Sequence, residues 1–148
     1  MRWTLLSAAA LASLALAGEA SAVMPVKQQA TCPQILRQPV NRYADVPAPI
    51  RAKLGRMAER NGRWNVGDSI GPGDERNPFE HFIAAGHMGR DRWLVVYERG
   101  GIAHYWIATV LQLTPKPGGG RTAVEVASAN GAPLDKVCRD LAAKLPRR

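Results

Sequence analysis

From Phe79 to Leu113 the chain reads FEHFIAAGHMGRDRWLVVYERGGIAHYWIATVLQL, with Val, Ile, Trp, Tyr and Phe gathered in runs of strand length. Two joints, Met88-Gly89-Arg90-Asp91 and Arg99-Gly100-Gly101-Ile102, divide it into three strands of an antiparallel meander. A two-residue turn at Gly100-Gly101 would pair Arg99 with Ile102, Tyr97 with His104, Val95 with Trp106 and Trp93 with Ala108. That register puts Trp93, Val95, Tyr97, His104, Trp106 and Val110 on one face. Leu94, Val96, Glu98, Ala103, Tyr105, Ile107 and Leu111 take the other. Both faces are largely apolar, so each needs cover from the rest of the chain or, on one side, from a partner such as a second copy in a homodimer.

A different period flanks the meander. Between Pro49 and Arg60, Ile50, Leu54, Met57 and Ala58 recur at helical spacing while Arg51, Lys53, Arg56 and Arg60 point elsewhere, which predicts an amphipathic helix ended by Asn61-Gly62. At the other end, Leu134, Val137, Cys138, Leu141, Ala142 and Leu145 form the cleanest helical stripe in the chain, opened by Pro133 and closed by Pro146. Trp64, Val66 and Ile70 alternate and predict a short edge strand, and GPGDERNP after them reads as a surface loop. The run Thr114-Pro115-Lys116-Pro117-Gly118-Gly119-Gly120 predicts a flexible hairpin tip with no ladder, because proline lacks a donor and glycine is costly to order. Val124 and Val126 opposed to Glu125 place a last strand over residues 121–129. The expected fold is α+β: an antiparallel meander of four to five strands flanked by an N-terminal and a C-terminal helix.

The first residues change the picture of where this fold works. Met1-Arg2, an apolar run from Leu5 to Ala17 and the exit Ala20-Ser21-Ala22 make residues 1–22 a secretory signal peptide. The run is too short to span a bilayer, and no transmembrane segment is expected elsewhere. Residues 23–148 then form a single α+β domain, with 23–45 as an extended, proline-bearing arm, exported to a bacterial periplasm or beyond after cleavage near Ala22. About 126 residues suffice for one core without metals. In an oxidising compartment Cys32 and Cys138 read as a disulfide, and closing so long a loop stabilises a fold by roughly 4–5 kcal/mol in the chain-entropy account.

Formal charge is +8, and losing Arg2 and Glu19 with the signal leaves it unchanged. The cations are spread rather than blocked together, so nucleic-acid binding is not specifically signalled. No nucleotide loop, zinc protease helix, calcium loop or nucleophile elbow is present, and neither a cofactor nor a metal site is expected. His81 and His87 sit about 20 Å apart along one strand and cannot share an ion. With a two-residue turn at Gly89-Arg90, His81 lies opposite Glu98; with a three-residue turn it lies opposite Arg99. The two registers stay open. A His81–Glu98 pair could prepare an acid or base, and equally could be a cross-strand ion pair.

The phrases Phe82-Ile83-Ala84-Ala85-Gly86-His87, Arg92-Trp93-Leu94-Val95-Val96-Tyr97-Glu98 and Gly100-Gly101-Ile102-Ala103-His104 resemble small exported proteins of proteobacteria. The resemblance covers about a quarter of the chain; it implies a periplasmic origin and carries no activity. In broad build the chain also resembles the small secreted microbial ribonucleases, which would assign Glu98, Arg99, His104 and His81 to a hydrolytic site, although no segment carries their motifs. The leading expectation is a non-catalytic domain that binds a protein or an anionic envelope component, through Tyr97, Glu98, His104 and Trp106 on the sheet or through the glycine-rich hairpin. A nuclease-like hydrolase using Glu98 and His104 is the alternative.

Overall fold

The computed structural model describes Cys32 and residues 39–67 and 69–145. The signal peptide, most of the expected arm, Pro146 and the basic end of the chain lie outside the described residues. Five antiparallel strands follow one another in sequence order: β1 (Pro39–Val40), β2 (Glu80–His87), β3 (Arg92–Arg99), β4 (Tyr105–Pro115) and β5 (Arg121–Gly131). Helix α1 (Ala48–Leu54) precedes β2 and helix α2 (Leu134–Lys144) follows β5. The α+β class, the meander and the two flanking helices are as expected.

Each face of the sheet has its own cover. Leu94, Val96, Ala108, Val110, Ala127 and Ala129 point to α2, where Val137, Cys138 and Leu141 meet them. Cys32 joins this side and is bonded to Cys138, with Cα atoms 5.5 Å apart, so the predicted disulfide ties the described part of the N-terminal arm to α2. Phe82, Ala85, Trp93, Val95, Leu111, Leu113 and Ala123 point the other way, to Tyr43, Val46, Ile50 and Met57. Tyr43 belongs to a short 3-10 helix (Tyr43–Asp45) whose first amides, those of Tyr43 and Ala44, donate to the two oxygens of Glu59. Full burial of a side chain such as Phe82, Leu94 or Ile50 is worth roughly 1.5–3 kcal/mol each.

Four expectations fail, each for a non-local reason. The first helix is two turns shorter than its apolar stripe, because Gly55 turns to φ +85° and the chain beyond it becomes extended. Ala58 then exchanges backbone bonds with Glu80 and Phe82, an option stronger than continuing a short helix. Residues 64–70 form no strand: the Asn65 amide donates to the Pro78 carbonyl, its side chain donates to the carbonyls of Asp74 and Asn77, and Val66 and Ile70 stay exposed. The fifth strand is Pro39–Val40 instead. The β4–β5 ladder runs on through Thr114 and Pro115, which pair with Thr122 and Arg121, so the hairpin tip is confined to residues 116–120.

The fourth failure matters most for function. No two-residue turn forms at Gly100-Gly101. Arg99 pairs with Tyr105, Glu98 with Trp106 and Tyr97 with Ile107, leaving residues 100–104 as a loop. The Gly100 amide donates to Phe79 and the Gly101 amide to Val66, so both glycines serve the neighbouring segment rather than a hairpin. A Cβ on Gly100 would sit 2.0 Å from the Asn65 carbonyl oxygen. Moving β4 by three residues reverses its faces relative to β3: Glu98 and Trp106 now share the α2 side, and Tyr97, Ile107 and Tyr105 share the α1 side.

Candidate functional site

The corrected register builds a polar cluster at the end of the sheet where β3 hands over to the 100–104 loop. Near the opposite end, His87 pairs with Trp93, the three-residue-turn register. A bulge between Phe82 and Ala84 then shifts β2 by one residue, and His81 arrives opposite Glu98 after all. His104, released from the strand, reaches the same carboxylate from the loop.

Glu98 is 8% exposed and has a partner at each oxygen. His81 Nδ1 lies 2.6 Å from Oε1, and His104 Nε2 lies 2.7 Å from Oε2. His81 Nε2 is 2.8 Å from the Arg60 carbonyl oxygen. A carbonyl can only accept, so Nε2 of His81 carries a hydrogen and donates. One further proton occupies the 2.6 Å contact, and the pair holds it as imidazolium with carboxylate or imidazole with carboxylic acid. Oε2 is an acceptor in both forms, so His104 donates its Nε2–H, and in the neutral ring its Nδ1 is left with a lone pair. These hydrogen positions follow from the partners.

Aromatic rings close the cluster. Trp64 stacks on His81 with centroids 4.8 Å apart and planes 14° apart, and it tilts against His104 at 5.7 Å. Trp106 lies 6.3 Å from His104, also tilted. The His104 side chain is 44% exposed, and its Nδ1 has no partner among the described residues. Of the two imidazoles, only that of His104 leaves a ring nitrogen without a partner among the described residues.

Of the residues expected at a site, Glu98, His104, His81 and Trp106 are therefore brought together. Tyr97 and Arg99 are not. Arg99 faces the α1 side, 3.5 Å from Glu80. Tyr97 is half-buried there, and its hydroxyl is pushed up to about 12, first by burial and then by the nearby carboxylates of Glu80 and Glu125. Of the ribonuclease-like set, Arg99 thus stands on the other face of the sheet from Glu98 and His104, and each oxygen of Glu98 has an imidazole partner. His87 packs on Trp93 near the other end of β2, with centroids 4.0 Å apart.

Three residues at this end escaped sequence reasoning. Trp64 was assigned to an edge strand and instead roofs the cluster. Asn65 is buried and holds the 62–79 loop to itself. Ile102 is 94% exposed at the head of the 100–104 loop, and Val66, 51% exposed, is held to the same loop through its carbonyl. A β-branched apolar residue directly after Gly-Gly was the available signal.

Among the described residues no group of His, Cys, Asp and Glu is arranged to hold a metal ion. An open groove between β5 and α2, lined by Glu125, Ser128, Asn130, Asp140 and Lys144, lies apart from His104, and Lys144 donates to the Ser128 carbonyl there. No protein-family model, curated protein or solved structure matches this chain.

Proposed function

We propose that this protein is a periplasmic binding domain whose contact surface is the end of the sheet carrying the 100–104 loop and the adjoining 62–79 loop. The observation that carries the reading is Ile102, almost wholly exposed on a loop that is held from both sides. The amides before it are spent on Phe79 and Val66, and His104 after it is bonded to buried Glu98. An apolar side chain displayed on a rigid loop costs little entropy to immobilise on binding. With Val66 held to the same loop through its carbonyl and the rings of Trp64, His104 and Trp106 gathered at this end of the sheet, the surface has the composition of an interaction hot spot.

In this reading the His81–Glu98–His104 network is a fastener that shapes the surface. Export and the Cys32–Cys138 bond suit an extracytoplasmic setting, and among the described residues no helix is long and apolar enough to cross a membrane. The test is a photo-crosslinking residue at position 102 in cells that export the protein, with the same residue at position 124 as reference. Adducts at 102 and none at 124 are the expected outcome; equal yields refute the reading.

A second reading is favoured by one feature, the free Nδ1 of His104 backed by a carboxylate, which is how a general base is prepared. Degradation of RNA, DNA or peptidoglycan by the purified protein, abolished in His104→Ala and retained in Ile102→Asp, would establish a hydrolase in place of a binding domain.

A further inference from the structure

The segment that carries Trp64 is pinned at both ends and held lightly between them. Ala58 exchanges backbone bonds with Glu80 and Phe82, Glu59 is bonded through its carboxylate to the amides of Tyr43 and Ala44, and the Asn65 amide donates to the Pro78 carbonyl. From Arg60 to Trp64, beyond the turn bond from the Gly62 amide to Glu59, one hydrogen bond reaches the rest of the described chain: His81 Nε2–H to the Arg60 carbonyl, 2.8 Å. Trp64 adds its stack on the same imidazole, with centroids 4.8 Å apart. Residues 60–64 thus rest chiefly on one ring.

That ring stands between two acceptors, the Arg60 carbonyl at Nε2 and Glu98 Oε1 at Nδ1, 2.6 Å away. A neutral imidazole has one N–H, so beside an ionised carboxylate it satisfies only one of them. The carboxylate takes it, because a bond to a charged acceptor is the stronger. Nε2 is then left with a lone pair against the carbonyl, and the Arg60 contact becomes repulsive. With one more proton in the pair, both contacts are hydrogen bonds. We infer that His81 and Glu98 form a proton-dependent latch: it holds residues 60–64 closed over the two imidazoles while the shared proton is present, and releases them when rising pH passes that proton to the solvent. The latch stands on these contacts whatever the sheet end binds.

Neighbouring charges leave that proton count intact. His104 donates its Nε2–H to Oε2, and a proton taken up at its Nδ1 keeps that bond. Glu80 and Arg99, next to His81 and Glu98 on β2 and β3, belong to the other face and pair with each other. Tyr97 and Tyr105 share that face. Arg60 and Arg63 are exposed, and at the start of α2 Asp135 is bonded to Arg139. Asp68 lies outside the described residues. Among the described residues only His81 and His104 bring side chains within bonding distance of the Glu98 carboxylate.

The experiment is tryptic cleavage of the folded, oxidised protein after Arg60 and Arg63, both within the segment, with the sites identified by mass spectrometry. Rates at about pH 7 and about pH 9.5 are divided by those on an unfolded peptide of the same sequence. The ratio should rise by about tenfold over that interval, and cleavage after Arg92 in β3, which reports global opening, by much less. Glu98→Gln supplies the missing hydrogen permanently: its amide N–H donates to Nδ1, Nε2–H stays on the Arg60 carbonyl, and the amide oxygen still accepts from His104. Cleavage in that variant should stay low at both pH values. His104→Ala touches neither contact of His81 and should keep the rise. The latch is overturned by a flat wild-type ratio, by a rise retained in Glu98→Gln, or by loss of the rise in His104→Ala, which would put the titrating proton on the loop. Should circular dichroism show Glu98→Gln unfolded, His81→Phe decides: the ring remains for Trp64 without either nitrogen, so cleavage should be high and independent of pH, and low cleavage at both pH values overturns the latch.

Discussion

The loops at residues 100–104 and 116–120 join successive strands at opposite ends of one sheet, and both are glycine-rich. They are built on opposite principles. At 116–120 the bonds are internal, Lys116 to Gly120 and Gly119 to Lys116, and Gly118, Gly119 and Gly120 take positive φ with nothing near enough to touch an added Cβ. Here glycine is needed for conformation. At 100–104 the bonds leave the loop, and Gly100, at ordinary φ, is needed because the Asn65 carbonyl occupies the place of its side chain. Here Gly100 is needed for space, while its neighbour Gly101, at φ +105°, is needed for conformation. One loop closes a hairpin, and the other joins two segments into a surface.

The ion pairs follow the same division, and removing one should have the largest effect. Glu98→Ala deletes a buried carboxylate between two imidazoles and leaves His81 with an unmatched Nδ1 in a site that is 12% exposed. A loss of roughly 3 kcal/mol is expected in urea unfolding, with fraying of the 100–104 loop visible as faster amide exchange at Gly101. A loss under about 1 kcal/mol would show that the network is decoration and that the loop is held by its backbone bonds alone.

Next in size is a matched pair of glycine substitutions. Gly100→Ala forces a methyl group into the Asn65 backbone, and since a carbonyl cannot rotate aside as a side chain can, a cost of roughly 2–4 kcal/mol is expected. Gly119→Ala meets no atom but must hold φ near +99°, for a cost of about 1–2 kcal/mol. Equal losses in thermal unfolding would erase the distinction between a glycine kept for space and one kept for conformation.

This division also governs what was legible in the chain. Strands β2 to β5, α2 and the disulfide could be read because each leaves a local mark: the alternation of Val124, Glu125 and Val126, the stripe from Leu134 to Leu145, the lone pair of cysteines. The Gly118–Gly120 tip could be read for the same reason. Gly100-Gly101 carries the same local mark as a tight turn, and only the contact with Asn65, thirty-five residues away in sequence, gives it another meaning. The bulge at residue 83 is likewise silent in sequence, yet without it His81 would face Arg99. Half of the cluster, His81 with Glu98, was one of two open registers. The other half, His104 from a loop under Trp64, required the three-residue correction between β3 and β4.

The α1 side of the same sheet end should respond to alkali. Burial is the leading cause that raises both Tyr43 and Tyr97 to about 12 from the ordinary 10.0. A raised folded value means that the folded state keeps its phenolic protons longer than the unfolded chain does. Their contribution is complete below about pH 10 and is lost as pH climbs from 10 towards 12. Unfolding midpoints should decline across that window, and Tyr97→Phe should flatten the decline while leaving the midpoint at neutral pH nearly unchanged. An identical slope in the variant would mean that Tyr97 is solvated.

The smallest effect is expected at the opposite end, where Arg121 Nη2 meets Asp91 Oδ1 at 2.5 Å and also donates to the Leu113 carbonyl at 3.1 Å. On distance alone this pair equals His81 with Glu98. Exposure separates them: the two side chains are 45% and 33% exposed, so water already solvates both charges and screens their attraction. Asp91→Asn keeps an acceptor in place, and the Asp91 carbonyl still receives the Leu113 amide, so the β2–β3 tip stays joined to β4. A loss of about 0.5 kcal/mol is expected in urea unfolding, shrinking further at high salt. A salt-independent loss of about 2 kcal/mol or more would show that this end, too, depends on a buried charge, and the contrast between the two loops would then lie in their glycines alone.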